Sequence, residues 1–192
     1  MPTPAYSERL DAALALAAND FRCERRKATT IPYLCHLLQV MVWVGEYGGD
    51  EDQMIAAVLH DYLEDVEGSS AKELSRSFGP RVVGYVEALS DTTVRPKPPW
   101  KERKVAYIAA LASEPADLKL ISACDKLHNA ESILRDYRDQ GEVLWDRFTP
   151  PKEGTLWYYR AVTEALGEGW DHAVLDRLRE TVERLHVEAQ AA

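Results

Sequence analysis

The feature that most restricts the fold of this chain is an apolar run, residues 54–59, that ends in ionisable side chains. These side chains form two adjacent pairs, His60-Asp61 and Glu64-Asp65, which lie one turn apart if the segment is helical. Uncompensated charge costs several kcal/mol to bury, so such residues are retained in apolar surroundings when they bind a cation or take part in chemistry. The segment therefore predicts a buried helix with a metal-dependent hydrolytic site at its polar end.

The composition restricts the class of protein further. The chain has 192 residues, of which 46% are hydrophobic and 29% are charged, and this is enough for one well-filled domain. Its formal net charge of -9 disfavours a general nucleic-acid binder, which needs a basic face to neutralise phosphates. No apolar run approaches the ~20 residues of a membrane span, and the N-terminus lacks the apolar core of a signal peptide. We expect a cytoplasmic protein with neither nucleic-acid nor membrane partners, in an oligomeric state that the sequence leaves open.

Hydrophobic residues recur with helical periodicity along almost the whole chain, and no long segment alternates as a strand does. We therefore predict an all-α, single-domain helical bundle that spans residues 1–192. The basic residues 25–27 are predicted to close the first helix, where they would offset its dipole. The aromatic residues of segment 144–160 either pack in the core or stack on a base. The predicted helices cover residues 7–27, 32–47, 50–66, 70–78, 80–90, 100–113, 115–140, 141–148 and 153–187, with surface loops at 91–99 and 149–154 and an interruption near Gly167 and Gly169.

The spacing of the polar residues decides which of them can share a site. Within the predicted 50–66 helix, His60 and Glu64 are four residues apart. Asp61 and Asp65 have the same spacing, so the quartet covers one broad side of the helix and could line one cavity. His36 lies among leucines on the apolar side of its own helix, where a histidine is either a hydrogen-bonded core residue or a ligand.

Asp125, like His36, can have either a structural role or a functional one. It precedes Lys126 in an otherwise apolar helix and could simply form an ion pair with that lysine. Together with His36 and His60-Asp61, however, Asp125 would form a mixed nitrogen and oxygen shell, which suits manganese, iron or zinc. Such a shell leaves coordination positions for water and substrate, so one divalent metal ion is the predicted cofactor.

In the order His36, His60-Asp61 and Asp125, these residues resemble the HD superfamily of metal-dependent phosphohydrolases. Further motifs narrow the resemblance to the hydrolase domain of the RelA/SpoT family, whose stand-alone members are the small alarmone hydrolases. The match covers roughly residues 7–140 in register. The additional motifs are Arg26-Lys27, Pro32-Tyr33, the run from Ala56 to Asp65, Phe78-Gly79, Leu89-Ser90-Asp91 and the run from Asp125 to Asn129.

The resemblance implies an all-helical fold, a bound manganese ion and a small-molecule nucleotide substrate. The implied reaction removes pyrophosphate from the ribose 3′ position of guanosine tetra- and pentaphosphate. The implied roles are metal ligation by His36, His60, Asp61 and Asp125, activation or orientation of water by Glu64 and Asp65, and contacts to the nucleotide by Arg26, Lys27, Asn129 and Ser132.

Several alternatives remain open. Arg26 and Lys27 can also be solvated residues at a helix end, and Ser132 can be an ordinary helix serine. The family's His-x-x-Gln stretch is replaced by Phe21-Arg22-Cys23-Glu24, and Ala28 stands where a glycine often follows the Arg-Lys pair. These departures fall near the part of the site that recognises the base. They therefore leave the identity of the nucleobase open, while the type of reaction is less affected. An HD-type phosphohydrolase acting on another phosphomonoester and a catalytically silent nucleotide-binding regulator are the other hypotheses.

Overall fold

The computed structural model describes residues 4–92 and 96–191. Across these ranges the regular secondary structure is helical, together with one isolated antiparallel bridge between Arg25 and Pro32. The prediction of an all-α fold is confirmed. Within the described part of the chain, no helix combines the length and the apolar character that crossing a membrane requires.

The chain divides into two compact units, Met1–Thr93 and Val94–Ala192. A single domain over all 192 residues therefore stays a prediction. The same holds for the loop predicted at 91–99, since residues 93–95 lie outside the described ranges.

The first unit is built around a short helix whose C-terminal half is buried on every side. The side chains from Ile55 to Leu59 have no exposed surface. A helix that is apolar all round has to lie inside the protein, so this helix determines where the next residue, His60, can lie. The helices of the unit are α1 (Glu8–Asp20), α2 (Leu34–Glu46), α3 (Glu51–Leu59), α4 (Tyr62–Asp65), α5 (Ala71–Phe78) and α6 (Pro80–Leu89), and α1, α2 and α6 all pack against α3.

Polar contacts hold the N-terminal end of α3. The Asp50 carboxylate accepts a hydrogen bond from the Gln53 backbone N–H at 3.0 Å, and the Gln53 side chain accepts one from the Asp50 N–H at 2.9 Å. Arg81 of α6 pairs with Asp50 at 2.6 Å, and Arg9 of α1 pairs with Asp52 at 2.8 Å. These contacts attach α3 to two neighbouring helices at the end opposite His60.

One predicted helix boundary in this unit is wrong by a wide margin. α1 ends at Asp20 instead of near Lys27. The chain then turns back on itself, so that Arg25 pairs with Pro32 in the isolated bridge. The basic residues 25–27 are therefore not in a last helical turn, and they do not offset a helix dipole.

The second unit consists mainly of longer helices, whose ends are marked by proline and glycine and lie within a few residues of the predicted ones. Trp145, Tyr158 and Tyr159 are buried, in agreement with the core alternative for the aromatic segment. The elements are α7 (Trp100–Ser113), α8 (Ala116–Gln140), a 3-10 helix (Gly141–Arg147), α9 (Lys152–Leu166) and α10 (Ala173–Gln190), with α10 packed along α8, and α9 in contact with α7, α8 and α10.

A buried lysine joins the ends of two of these helices. Lys119, near the start of α8, has 2% of its surface exposed. Its ammonium group donates hydrogen bonds to the carbonyl oxygen of Ala112 in α7 at 2.9 Å and to that of Glu168, just after α9, at 2.5 Å. Carbonyl groups at helix ends lack partners within their own helix, so Lys119 satisfies two of them while its own charge is hydrogen-bonded.

We predict that Lys119→Met lowers the free energy of unfolding by about 1–3 kcal/mol, because it leaves buried carbonyl groups without their donor. Methionine keeps most of the length and the apolar character of the lysine stem. Urea denaturation of the full chain measures the change, and Lys72→Met on the exposed surface of α5 is the control. Equal stability of the two variants would contradict the structural role of Lys119.

Candidate metal centre

His60 and Asp61 lie where α3 ends and α4 begins. The backbone angles φ and ψ are -59° and -31° at His60 and -94° and 2° at Asp61, so the helix is interrupted here. The predicted unbroken helix over residues 50–66 is therefore wrong at this point. The interruption brings two side chains that are adjacent in sequence to one place, with His60 Nε2 2.9 Å from Asp61 Oδ2.

A backbone carbonyl orients the buried ring of His60. The residue is 3% exposed, and its Nδ1 lies 2.7 Å from the carbonyl oxygen of Ala57 in α3. Because a carbonyl oxygen only accepts hydrogen bonds, Nδ1 carries the proton and donates it. Metal-binding histidines usually have this arrangement, which leaves the Nε2 lone pair available to the ion.

His36 of α2 brings a second imidazole to the same carboxylate. It is 1% exposed, and its Nε2 lies 3.9 Å from Asp61 Oδ2. The His36 and His60 rings cross at 76° with their centroids 5.1 Å apart, and each ring offers a nitrogen within 4.8 Å of one on the other. Two ligands that each lie about 2.1 Å from a transition metal can be at most about 4.2 Å apart. Both distances to Asp61 meet this limit, so each histidine can share a divalent ion with Asp61.

The loop after α1 places basic residues beside a pocket. Its backbone folds back as a hairpin, in which the Tyr33 N–H donates to the Glu24 carbonyl oxygen at 2.9 Å. Lys27 lines the same pocket as Asp65, and the Arg26 guanidinium lies 5.9 Å from the centre of the Tyr33 ring. The pocket has a volume of about 260 Å³ and is lined by Phe21, Glu24, Arg25, Lys27, Tyr33 and Asp65.

Glu64 and Asp65 belong to α4, directly after Asp61. The Asp65 N–H donates to the Asp61 carbonyl oxygen at 2.9 Å, so the turn that carries both acids begins at a candidate ligand. Glu64 is half-buried and Asp65 is exposed. Of the two, Asp65 contributes to the pocket wall.

In the second unit, α8 holds Asp125 in a buried polar cluster. The carboxylate accepts hydrogen bonds from Lys126 Nζ at 2.5 Å and from Asn129 Nδ2 at 2.6 Å. Burial acts to lower the pKa of Lys126, but the charge of Asp125 outweighs it and holds this pKa well above its usual range. Asp125 and Lys126 therefore form an ion pair. Ser132 is buried too, and its hydroxyl donates to the His128 carbonyl oxygen of the same helix at 2.8 Å.

Tyr33 is the residue that the sequence reasoning missed. Its hydroxyl donates a hydrogen bond to Asp61 Oδ2 at 2.6 Å. The sequence motif contained Tyr33 but assigned it no role. The available signal was its position three residues before His36, because residues with this spacing lie on the same face of a helix and point to one region.

A family model described as an HD domain matches residues 13–148 of this chain. The chain therefore belongs to the HD-domain family. The matched region contains every candidate metal ligand, both candidate acids and every candidate nucleotide contact. Together with the His/Asp cluster, the family indicates a divalent metal ion as cofactor.

The relatives of this chain include two guanosine-3′,5′-bis(diphosphate) 3′-pyrophosphohydrolases. MESH1 of Drosophila melanogaster is 34% identical over 135 residues, which cover 69% of this chain and 71% of that protein. The Aquifex aeolicus protein is 31% identical over 131 residues, which cover 68% of this chain but 18% of the relative. The chain thus spans most of MESH1 and less than a fifth of the Aquifex protein.

Two solved structures share the fold. The first, described as a metazoan SpoT orthologue that hydrolyses ppGpp, has a TM-score of 0.76 at 26% identity, and the match covers 96% of this chain and 98% of that chain. The second is a Listeria monocytogenes protein with a TM-score of 0.71 at 23% identity, covering 78% of this chain and 97% of that chain; at this identity it shows the fold alone. The resemblance to the RelA/SpoT hydrolases that the sequence predicts is confirmed.

We predict that Ala28→Gly raises the free energy of unfolding by about 1 kcal/mol, because Ala28 has a φ of 55° and glycine adopts this left-handed conformation without strain. Urea denaturation measures the change. The control is Ala12→Gly on the exposed face of α1, which should lower stability by about 0.5–1 kcal/mol. A loss of stability in both variants would show that the loop is not strained at Ala28.

Proposed function

We propose that this chain is a metal-dependent phosphohydrolase that removes the 3′-pyrophosphate from guanosine tetra- and pentaphosphate. The observation that carries the proposal is the donor set of the first unit, in which His60 Nδ1 is bonded to Ala57 and Nε2 faces Asp61. The identity of 34% to the 3′-pyrophosphohydrolase MESH1 supports the choice of reaction. The substrate is then a small-molecule nucleotide, and a cytoplasmic location stays a prediction of the sequence.

The proposed cofactor is one manganese ion, held by His36, His60 and Asp61 of the first unit and by Asp125 of the second. Two imidazoles and two carboxylates make a mixed nitrogen and oxygen donor set, which suits a divalent transition metal. When bound, such an ion lowers the pKa of a water molecule and draws charge from a phosphoryl oxygen. The family match over residues 13–148 includes all of these residues, which supports a common role.

Glu64 and Asp65 are the proposed acid-base residues. In the reaction, the oxygen of water bonds to phosphorus while the bond to the ribose 3′ oxygen breaks, so a proton leaves the water and one reaches the 3′ oxygen. α4 places both carboxylates within one turn of Asp61, where a carboxylate can accept the proton or orient the water. Asp65 shares its pocket with Lys27, so an acidic side chain and a cation for phosphate line the same pocket.

Cations near the pocket are needed to hold a polyanion, because the chain as a whole carries a formal charge of -9. Arg25 and Lys27 line the pocket, and Arg26 lies between them in sequence. Since α1 ends at Asp20, none of these residues lies in its last turn, where a positive charge would offset the helix dipole. We therefore assign Arg26 and Lys27 to nucleotide binding.

Asn129 and Ser132 are the proposed further contacts to the nucleotide. Each of them also bonds within α8, Asn129 to Asp125 and Ser132 to the His128 carbonyl oxygen. An asparagine side chain has both donor and acceptor atoms, and a serine hydroxyl that donates can still accept a hydrogen bond. Both residues could thus accept from the nucleotide without losing their contacts in the helix.

The direct test is incubation of the purified full chain with MnCl2 and a panel of nucleotides, followed by identification of the products by mass. Guanosine tetraphosphate should yield GDP and pyrophosphate. Release of orthophosphate from nucleoside monophosphates, with the tetraphosphate left intact, would favour the phosphomonoesterase hypothesis. Tight binding of the tetraphosphate without any product would favour the silent regulator.

We predict that Glu64→Gln and Asp65→Asn retain manganese but lose about two to four decades of turnover, the usual contribution of a positioned acid-base group. Asp61→Asn should instead lose the ion as well. Metal content and single-turnover rates on each variant make the distinction. Glu67→Gln, which removes an exposed acid just after α4, is the control and should keep the wild-type rate. Full activity or loss of metal in the Glu64 and Asp65 variants would refute their catalytic role.

Arg26→Ala is predicted to raise KM for guanosine tetraphosphate about tenfold and to lower kcat much less, because it removes a charged contact made equally in the ground and transition states. Steady-state kinetics at saturating manganese measures both constants. Arg22→Ala is the matched control, since Arg22 is an exposed residue of the same loop to which no nucleotide contact is assigned. If both variants show the wild-type KM, Arg26 does not bind the nucleotide.

A further inference from the structure

Tyr33 contacts both the loop that carries Arg26 and the candidate metal ligands. Its ring stacks on Phe21 with 5.6 Å between centroids and meets the His36 ring edge-on at 5.4 Å. The Arg26 guanidinium lies 5.9 Å from the ring centre. The hydroxyl donates a hydrogen bond of 2.6 Å to Asp61 Oδ2. One side chain thus joins the proposed nucleotide-binding loop to a ligand histidine and a ligand carboxylate.

Asp61 depends on such a partner more than the histidines do. Its side chain is 21% exposed, against 1% for His36 and 3% for His60. Packing fixes the two rings, whereas a partly exposed carboxylate at a helix break can rotate. The oxygen that accepts from Tyr33 is also the one that faces both histidine Nε2 atoms. The hydrogen bond therefore keeps this oxygen directed toward the histidines.

The backbone holds Tyr33 in place from both sides. Its N–H donates to the Glu24 carbonyl oxygen at 2.9 Å, and its carbonyl oxygen accepts from the His36 N–H at 2.8 Å. Phe21, which supports the ring, is 2% exposed. The hydroxyl consequently has a fixed position before any ion binds.

We propose that Tyr33 is a positioning residue of the metal centre, whose hydroxyl holds the Asp61 carboxylate in the orientation that binds the ion. This inference rests on the proposed function, because it takes Asp61 to be a ligand. Hydrogen bonds to ligand side chains orient them, and loss of such a bond typically weakens metal binding about tenfold to a hundredfold. Tyr33 neither binds the ion nor transfers a proton in this role, so its loss acts on ion affinity and not on the chemical step.

Tyr62 provides a matched control within the same unit. Its hydroxyl donates to Asp20 Oδ2 at 2.5 Å, and its ring also contacts Phe21, edge-on at 6.4 Å. It therefore makes the same kind of tyrosine–aspartate hydrogen bond, but to a carboxylate that is not a proposed ligand. Tyr33→Phe and Tyr62→Phe each remove one phenolic oxygen, so comparing them separates the loss of a hydrogen bond from an effect on the ion.

The experiment titrates Mn2+ into the metal-free full chain by calorimetry, for the wild type and both variants, with melting temperatures recorded in EDTA. Tyr33→Phe should raise the manganese Kd about tenfold to a hundredfold, while Tyr62→Phe should keep the wild-type Kd. The melting temperatures of the metal-free variants should fall by similar amounts. Turnover of Tyr33→Phe should be low at limiting manganese and should recover to near the wild-type kcat at saturating manganese.

The positioning role is wrong if Tyr33→Phe binds manganese as tightly as the wild type, or if its kcat stays low at saturating metal. A wild-type chain that binds no divalent ion overturns the proposed metal centre and this inference with it. A wild-type chain that binds manganese but hydrolyses no guanosine nucleotide overturns the proposed function alone, and the comparison of Kd values then still decides the role of Tyr33.

Discussion

The structure of the first unit depends on the burial of the C-terminal half of α3, whose residues from Ile55 to Leu59 have no exposed surface. Removal of apolar surface from water is the main favourable contribution to folding, and it explains why three helices surround this one. A helix buried this deeply must find partners for its polar end groups inside the protein. At one end Asp50 provides them, and at the other the His60 ring donates to the Ala57 carbonyl oxygen. The orientation of a candidate ligand is thus a consequence of how a buried helix ends.

The interruption between α3 and α4 is what allows His60 and Asp61 to act together. In a continuous helix, successive side chains point about 100° apart around the axis, and adjacent residues do not face each other. In the structure, His60 Nε2 and Asp61 Oδ2 are 2.9 Å apart. The doublet therefore requires the break, while Glu64 and Asp65 on the following turn remain close to it in sequence and in space.

Sequence rules that consider only neighbouring residues predicted the helix ends that a capping residue or a proline marks. Asp50, a residue type that caps helices, and the proline at position 80 mark the predicted helix starts at 50 and 80, and the structure places the starts of α3 and α6 there. The break at His60 carries no such signal, because a continuous helix satisfies the same four-residue spacings. The end of α1 was missed because the basic residues 25–27 also suit a helix terminus, whereas the structure pairs Arg25 with Pro32 in a bridge that helical periodicity does not predict. The Tyr33–Asp61 hydrogen bond spans 28 residues, and no local rule reports it.

The proposed ligand set also explains how so acidic a chain can bind a polyphosphate. The charges of the proposed ligands Asp61 and Asp125 would balance that of a divalent ion. Within the second unit, Lys126, whose pKa Asp125 holds well above its usual range, stays protonated beside Asp125. The basic residues 25–27 are equal in number to the acids Glu24, Glu64 and Asp65, and Glu24 and Asp65 line the same pocket as Lys27. With the metal bound, the charges of the proposed site therefore nearly balance, although the chain carries -9 in total. Exposed charges more than about 8 Å apart are largely screened at physiological ionic strength, so a bound nucleotide responds mainly to these nearby groups. Removal of the divalent ion would leave the ligand carboxylates without their counter-charge and make the local charge more negative, which couples phosphate binding to metal binding electrostatically, apart from any role of the metal in the reaction.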